Sequence, residues 1–159
     1  MSSSKSSVFQ VKRCVDEKMA GIVVKIFEFC DKIKIKVYTG SIVKFHGDAI
    51  IISSDHFVTG QGALGKAVLF AGGRRYEKEF NNMRKQLTGN YQKVGDTFLC
   101  KGGDINATYV LHVVLNQLCD TSHPKLDEHK TALLRALEKV GELHWRKVAM
   151  PLIGAGNKS

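Results

Sequence analysis

Two short glycine clusters carry the chemistry that can be read from this chain. They are Gly60-Gln61-Gly62 and, in the stretch KVAMPLIGAGNKS, Gly154-Ala155-Gly156. Residues without a Cβ let the backbone come close to a ligand, and successive N–H groups aimed into one concavity bind phosphate oxygens. A helix opening behind such a loop adds the positive end of its dipole. A helical pattern starts directly after the first cluster, at Ala63, and none follows the second. No metal chemistry competes with this reading. Cys119, His123 and His129 are the closest candidate ligand set, but their spacing fits no standard zinc template, so neither a metal nor a cofactor is expected. Cys14, Cys30, Cys100 and Cys119 form no CxxC pair and read as free thiols of a reducing compartment.

Loops that bind phosphate need a sheet to present them. Asp48 to Ser54 (DAIIISS) is a nearly continuous branched apolar run, the mark of a strand covered on both faces. It leads into the first cluster. Val148 to Ile153 is a second buried run and leads into the other. Asp96 to Lys101 and Ala107 to Gln117 read as two further strands around the turn Gly102-Gly103-Asp104. Helical spacing appears over Ala63 to Ala71, over Arg74 to Leu87 and over Lys130 to His144, the last with Ala132, Leu133, Leu134, Ala136, Leu137, Val140 and Leu143 as its apolar positions. Upstream, Val23 to Cys30 and Ile33 to Tyr38 alternate with period two and suggest a hairpin across Asp31-Lys32. Val8, Val11, Val15, Met19 and Ile22 have a spacing suited to a helix. Strands alternating with helices predict an α/β protein with a mixed sheet and helices on both faces, its ligands at the carboxyl ends of strands.

Composition bounds the partners. The 159 residues are 43% apolar and 25% charged, ordinary for one globular domain. The leading MSSSKSS lacks the apolar core of a signal peptide, and no apolar run is long enough to span a bilayer, so no membrane partner is expected and the protein reads as intracellular, nuclear or cytoplasmic. A net charge of +9 favours an anionic partner. Lys66, Arg74, Arg75, Lys78, Arg84 and Lys85 could form a basic face for nucleic acid, and they could equally be a solvated helix surface.

Over residues 33–157 the order of motifs resembles a macrodomain, the three-layer α/β/α module that binds ADP-ribose. VYTGSIVKFHGDAIIISSD is similar to the strand, short segment and strand that lead to the family's Asn-Ala-Ala-Asn motif. GQGALGKAVLFAGG resembles its first glycine loop and following helix. KVGDTFLCKGGDINATYVLHVV resembles its central strand pair, and KVAMPLIGAGN its second glycine loop. The resemblance implies that the two loops embrace a diphosphate. The implied ligand-binding set is Ser41, Ile42, Ser54, Asp55, Gly60, Gly62, Ala63, Leu64, Ile153, Gly154, Ala155, Gly156 and Asn157. ADP-ribose, its polymer, an ADP-ribosylated protein or a related nucleotide would be the partner.

Departures fall on the polar positions. Ser41 stands where the family carries the Asp that receives the adenine amino group. Ile52-Ser53-Ser54-Asp55 replaces Asn-Ala-Ala-Asn, and Leu64 or Gly65 occupies the place of an Asp found in de-ADP-ribosylating members. These changes imply a degenerate binding module with weak or lost affinity. The alternatives are a mono-ADP-ribosyl hydrolase that uses Asp55 and a nucleic-acid-binding module. The expected organisation is a disordered tail over 1–7, an extension over 8–32 packed on the core, and a macrodomain-like domain over 33–159. The family's further helix, strand and last helix are not present before Ser159, as in a shortened isoform or a fragment.

Overall fold

A computed structural model of the chain describes residues 15–16, 21–29, 33–87, 89–115 and 126–152. The chain divides into two compact units, Met1–Ser41 and Ile42–Ser159. In the first, β1 (Val15–Asp16), β2 (Gly21–Phe29) and β3 (Ile33–Gly40) form an antiparallel sheet in that order. Val15 pairs with Ile22 and Phe29 with Ile33, with a bulge between Val23 and Lys25. The helix expected from the spacing of Val15 and Ile22 is therefore corrected to strand. The run Ile22-Val23-Val24 is β-branched and suits a pleated ladder, which satisfies its backbone groups across strands. Val8, Val11 and Met19 lie outside the described residues.

The second unit holds a four-stranded sheet in the order β5-β6-β4-β7, made from β4 (Gly47–Ser54), β5 (Thr97–Lys101), β6 (Ala107–Val114) and β7 (Val148–Ala149). β4 runs parallel to β6 and β7, while β5 is antiparallel to β6. Two helices cover it, α1 (Ala63–Gln86) and α2 (Leu126–Glu142). The connection from β4 to β6 crosses the sheet in one direction and that from β6 to β7 in the other. Right-handed crossovers therefore put α1 and α2 on opposite faces.

Side-chain alternation along β6 matches this layering. Leu111, Val113 and Leu115 form a core with Ile51 and with Ala132 and Ala136 of α2, all buried. His112 points the other way, with its ring against Tyr76 and Phe80 of α1. Ile50, Ile51 and Ile52 are fully buried between the two layers, each burial contributing about 1.5–3 kcal/mol. That is why the DAIIISS run is apolar on both faces. α2 approaches through its small residues: Ala132 and Ala136 are buried, whereas Leu134 and Leu137 stand exposed.

α1 is not one smooth helix. Gly73 has φ 61° and ψ −165° within it, a conformation closed to side chains with a Cβ, so the helical stretches over 63–72 and 74–86 meet at a break. The carbonyl of Gly72 accepts the N–H of Asp104 at 3.0 Å there. At the far edge Asp48 accepts the N–H groups of Arg146 and Lys147 at 2.7 and 2.8 Å, which sets β7 beside β4.

Candidate functional site

The carboxyl end of β4 runs through Asp55–Thr59 into Gly60-Gln61-Gly62, and α1 begins at Ala63. Asp55 organises this loop. Its carboxylate accepts the N–H of Phe57 at 2.8 Å, the N–H of Thr59 at 3.2 Å and the Thr59 hydroxyl, while its carbonyl accepts the N–H of Val58 at 2.9 Å. An aspartate that binds backbone two residues on is the usual seed of such a turn. Val58 itself is buried with φ 49°, an unusual backbone conformation for a branched residue.

Glycine is required unequally along the loop. A Cβ on Gly65 would stand 2.6 Å from the Gly60 carbonyl oxygen, so the first turn of α1 presses directly on the loop. Gly62 is different: it has ordinary extended angles, φ −62° and ψ 157°, and a Cβ there would meet none of the described residues within 4 Å. Neither strain nor crowding demands glycine at this position. No side chain caps α1 at Gly62, and its first intrahelical bond is Lys66 N–H to the Gly62 carbonyl at 2.9 Å. Among the described residues no acceptor meets the N–H groups of Ala63, Leu64 and Gly65 that open the helix, a ready site for an anion.

Behind the loop lies a buried network that sequence reasoning did not find. His112 is 2% exposed, and its Nδ1 meets the Ser54 hydroxyl at 2.9 Å while its Nε2 meets the Tyr76 hydroxyl at 2.8 Å. Burial lowers its pKa to about 4, so the ring is neutral at pH 7. A neutral imidazole carries one N–H, so one hydroxyl donates to it and the other accepts from it. Burial, and secondarily the Cys100 thiol, push the Tyr76 phenol well above its ordinary range. Ser54 therefore turns into the core and ties the end of β4 to α1. A polar residue in the run VLHVV was the available signal, since a buried polar group must find partners.

The rim of the loop is aromatic. His56 stacks on Tyr91 with ring centres 4.2 Å apart, Phe57 meets Tyr91 edge-on at 5.9 Å, and Phe57 and Tyr91 are exposed. His56 Nδ1 donates to the Gln92 carbonyl oxygen at 2.7 Å.

The structure brings Ser54, Asp55, Gly60, Gly62, Ala63 and Leu64 together at this end of the sheet. Ile42 opens the 3-10 turn Ile42–Lys44, which packs against α1. Ile52 is core. Ser41 ends the first unit. Ile153, Gly154, Ala155, Gly156 and Asn157 lie outside the described residues, as do Cys119 and His123. Among the described residues no group of three or more His, Cys, Asp or Glu is placed to hold a metal ion, and no helix is long and apolar enough to cross a membrane.

Comparison with known proteins follows the same lines. The family model described as Macro domain matches residues 53–159. A Sulfolobus acidocaldarius protein named only as uncharacterized is 25% identical over 134 residues, which cover 84% of this chain and 71% of that protein. The O-acetyl-ADP-ribose deacetylase 2 of Pantoea vagans is 29% identical over 123 residues, covering 77% of this chain and 71% of its own. Among solved structures, the Oceanobacillus iheyensis macrodomain with ADP superposes with a TM-score of 0.74 at 20% identity, over 83% of this chain and 70% of that one. That last likeness shows the fold.

Proposed function

This chain belongs to the Macro domain family, and from that premise we propose that it is a binding module for ADP-ribose or a related diphosphate nucleotide, with reduced affinity. The observation that carries the reading is the uncapped start of α1 behind Gly60-Gln61-Gly62, with none of the described residues within 4 Å of a Cβ at Gly62. Three acceptor-less N–H groups and a helix dipole, together worth up to about 2 kcal/mol toward an anion in a favourable geometry, suit a diphosphate. The solved relative with ADP supports the choice of ligand class. The reduced affinity follows from the side chains. Ile52 is spent in the core, and Ser54 is turned to His112.

Recognition is favoured over turnover. Both Asp55 carboxylate oxygens already accept bonds from Phe57 and Thr59, and neither Leu64 nor Gly65 supplies an acid or a base. Isothermal titration with ADP-ribose and with ADP tests the reading. Saturable heat is expected, and Gly62→Asp should weaken it at least about tenfold, since a carboxylate near a phosphate at about 4 Å costs some 4 kcal/mol at surface dielectric. The melting temperature should not move, because the site accepts a side chain without strain. No heat at hundreds of micromolar protein, or undiminished binding by Gly62→Asp, overturns the proposal.

A further inference from the structure

Helix α2 carries apolar residues on two faces, and only one of them meets the sheet. Ala132 and Ala136 are buried in the core, and Val140 packs against it. On the far side Leu126, Lys130, Leu134, Leu137 and Gly141 follow one another at steps of three or four residues, the spacing of a single helix stripe. Leu126, Leu134 and Leu137 are 67%, 60% and 47% exposed, and a Cβ on Gly141 would meet none of the described residues within 4 Å. The charges are placed unevenly along this stripe. Lys130 lies in its N-terminal half, and Glu138 flanks its C-terminal half.

We propose that this stripe is a homodimer interface, occupied by α2 of a second copy of the chain running antiparallel. A two-fold axis level with Arg135 and Ala136 sets Leu134 against the second copy's Leu137, and Leu137 against its Leu134. The same register sets Lys130 over the second copy's Gly141, where the absent side chain leaves room for the lysine stem. The ammonium group then lies beside the second copy's Glu138, one helical turn from that glycine. Symmetry repeats the contact, so each dimer holds the Lys130–Glu138 pair twice. Within one copy Lys130 meets Asp127 at 3.6 Å and Glu138 meets Arg135 at 2.9 Å. Both pairs are exposed, and exposed pairs contribute little, so these side chains can turn to the second copy. A parallel pairing would instead bring the two Lys130 side chains together with no acid between them. The stripe is thus complementary to its own antiparallel copy in shape and in charge, which selects this occupant over an unrelated helix.

Sedimentation equilibrium of the full chain tests the proposal. One short helix face makes a small, transient interface, so the dimer should form with a dissociation constant on the order of 10–100 μM. Leu134→Glu should leave the protein monomeric at concentrations where the unaltered chain is dimeric. Its circular-dichroism melt should not change, because residue 134 already faces water. Lys130→Glu alone and Glu138→Lys alone should each raise the dissociation constant about tenfold, since the pair occurs twice and an exposed pair is worth up to about fivefold. Combined in one chain, the two reversals rebuild the pair with its signs exchanged and should return the constant to within about twofold of its original value. An unaltered chain that stays monomeric up to about 1 mM, a dimer that survives Leu134→Glu, or a combined variant no tighter than either single reversal each overturns the proposal.

Discussion

Mild acid should destabilise this protein through one buried ring, His112. In the unfolded chain its imidazole takes up a proton below about 6.5, whereas in the native state burial delays this to about 4. Between those values the unfolded state binds more protons, so stability falls as the pH drops through that window. At about 1.4 kcal/mol per tenfold, the full gap is worth about 3 kcal/mol, of which about 2 kcal/mol is already lost at pH 5. Most carboxylates are still ionised at pH 5, so the window from 7 to 5 isolates the histidine contribution. A loss of about 2 kcal/mol corresponds to roughly 4–8 °C in melting temperature for a chain of this size. Urea unfolding followed by circular dichroism at pH 7, 6 and 5 measures the slope, and His112→Asn should flatten it. Should that variant fail to fold, the ring's own NMR titration decides the matter: the His112 signal should stay constant from pH 7 to 5. A His112 that titrates near 6.5, or a stability unchanged between pH 7 and 5, refutes the argument that the Ser54–His112–Tyr76 network holds a neutral imidazole.

Asp55→Ala should cost about 1–2 kcal/mol in urea unfolding, because the N–H groups of Phe57 and Thr59 lose their acceptor. Asp55→Asn keeps one acceptor oxygen and should cost less while leaving ADP-ribose binding in place. Equal stability of all three proteins would show that the carboxylate does not hold the loop. Cys100 is buried, and burial together with the Glu79 charge pushes its thiol up to about 12. Iodoacetamide at pH 8 should therefore leave Cys100 unlabelled in the native protein and label it in urea, as read by peptide mass spectrometry. Fast native labelling would mean that the strand is open to solvent.

The layered architecture was legible because its elements advertise themselves locally. An unbroken branched run such as Ile50-Ile51-Ile52 has no stable placement except between two covering layers, and glycines at 60, 72 and 73 mark where the chain must turn or stay bare. Local pattern misled where two periods coexist: Val15 and Ile22 have helical spacing, yet the neighbouring β-branched residues found strand partners and pairing prevailed. In α2 the apolar stripe read as leucines and alanines alike, but only the small Ala132 and Ala136 let the helix come close enough to bury.

The loop residue Gly60 could be named from residue type alone, because the backbone freedom its φ of 70° uses is a property of the residue itself. Asp55 could be named but not understood, since its partners Phe57 and Thr59 matter only once the turn is formed. Contacts between distant segments were decided by the tertiary structure. Ser54 meets His112 across 58 residues and Tyr76 meets it across 36, while the N–H of Asp104 reaches the carbonyl of Gly72 where Gly73 breaks α1. Such pairings depend on which strands neighbour which and on what each face must cover, and no spacing along the chain encodes that.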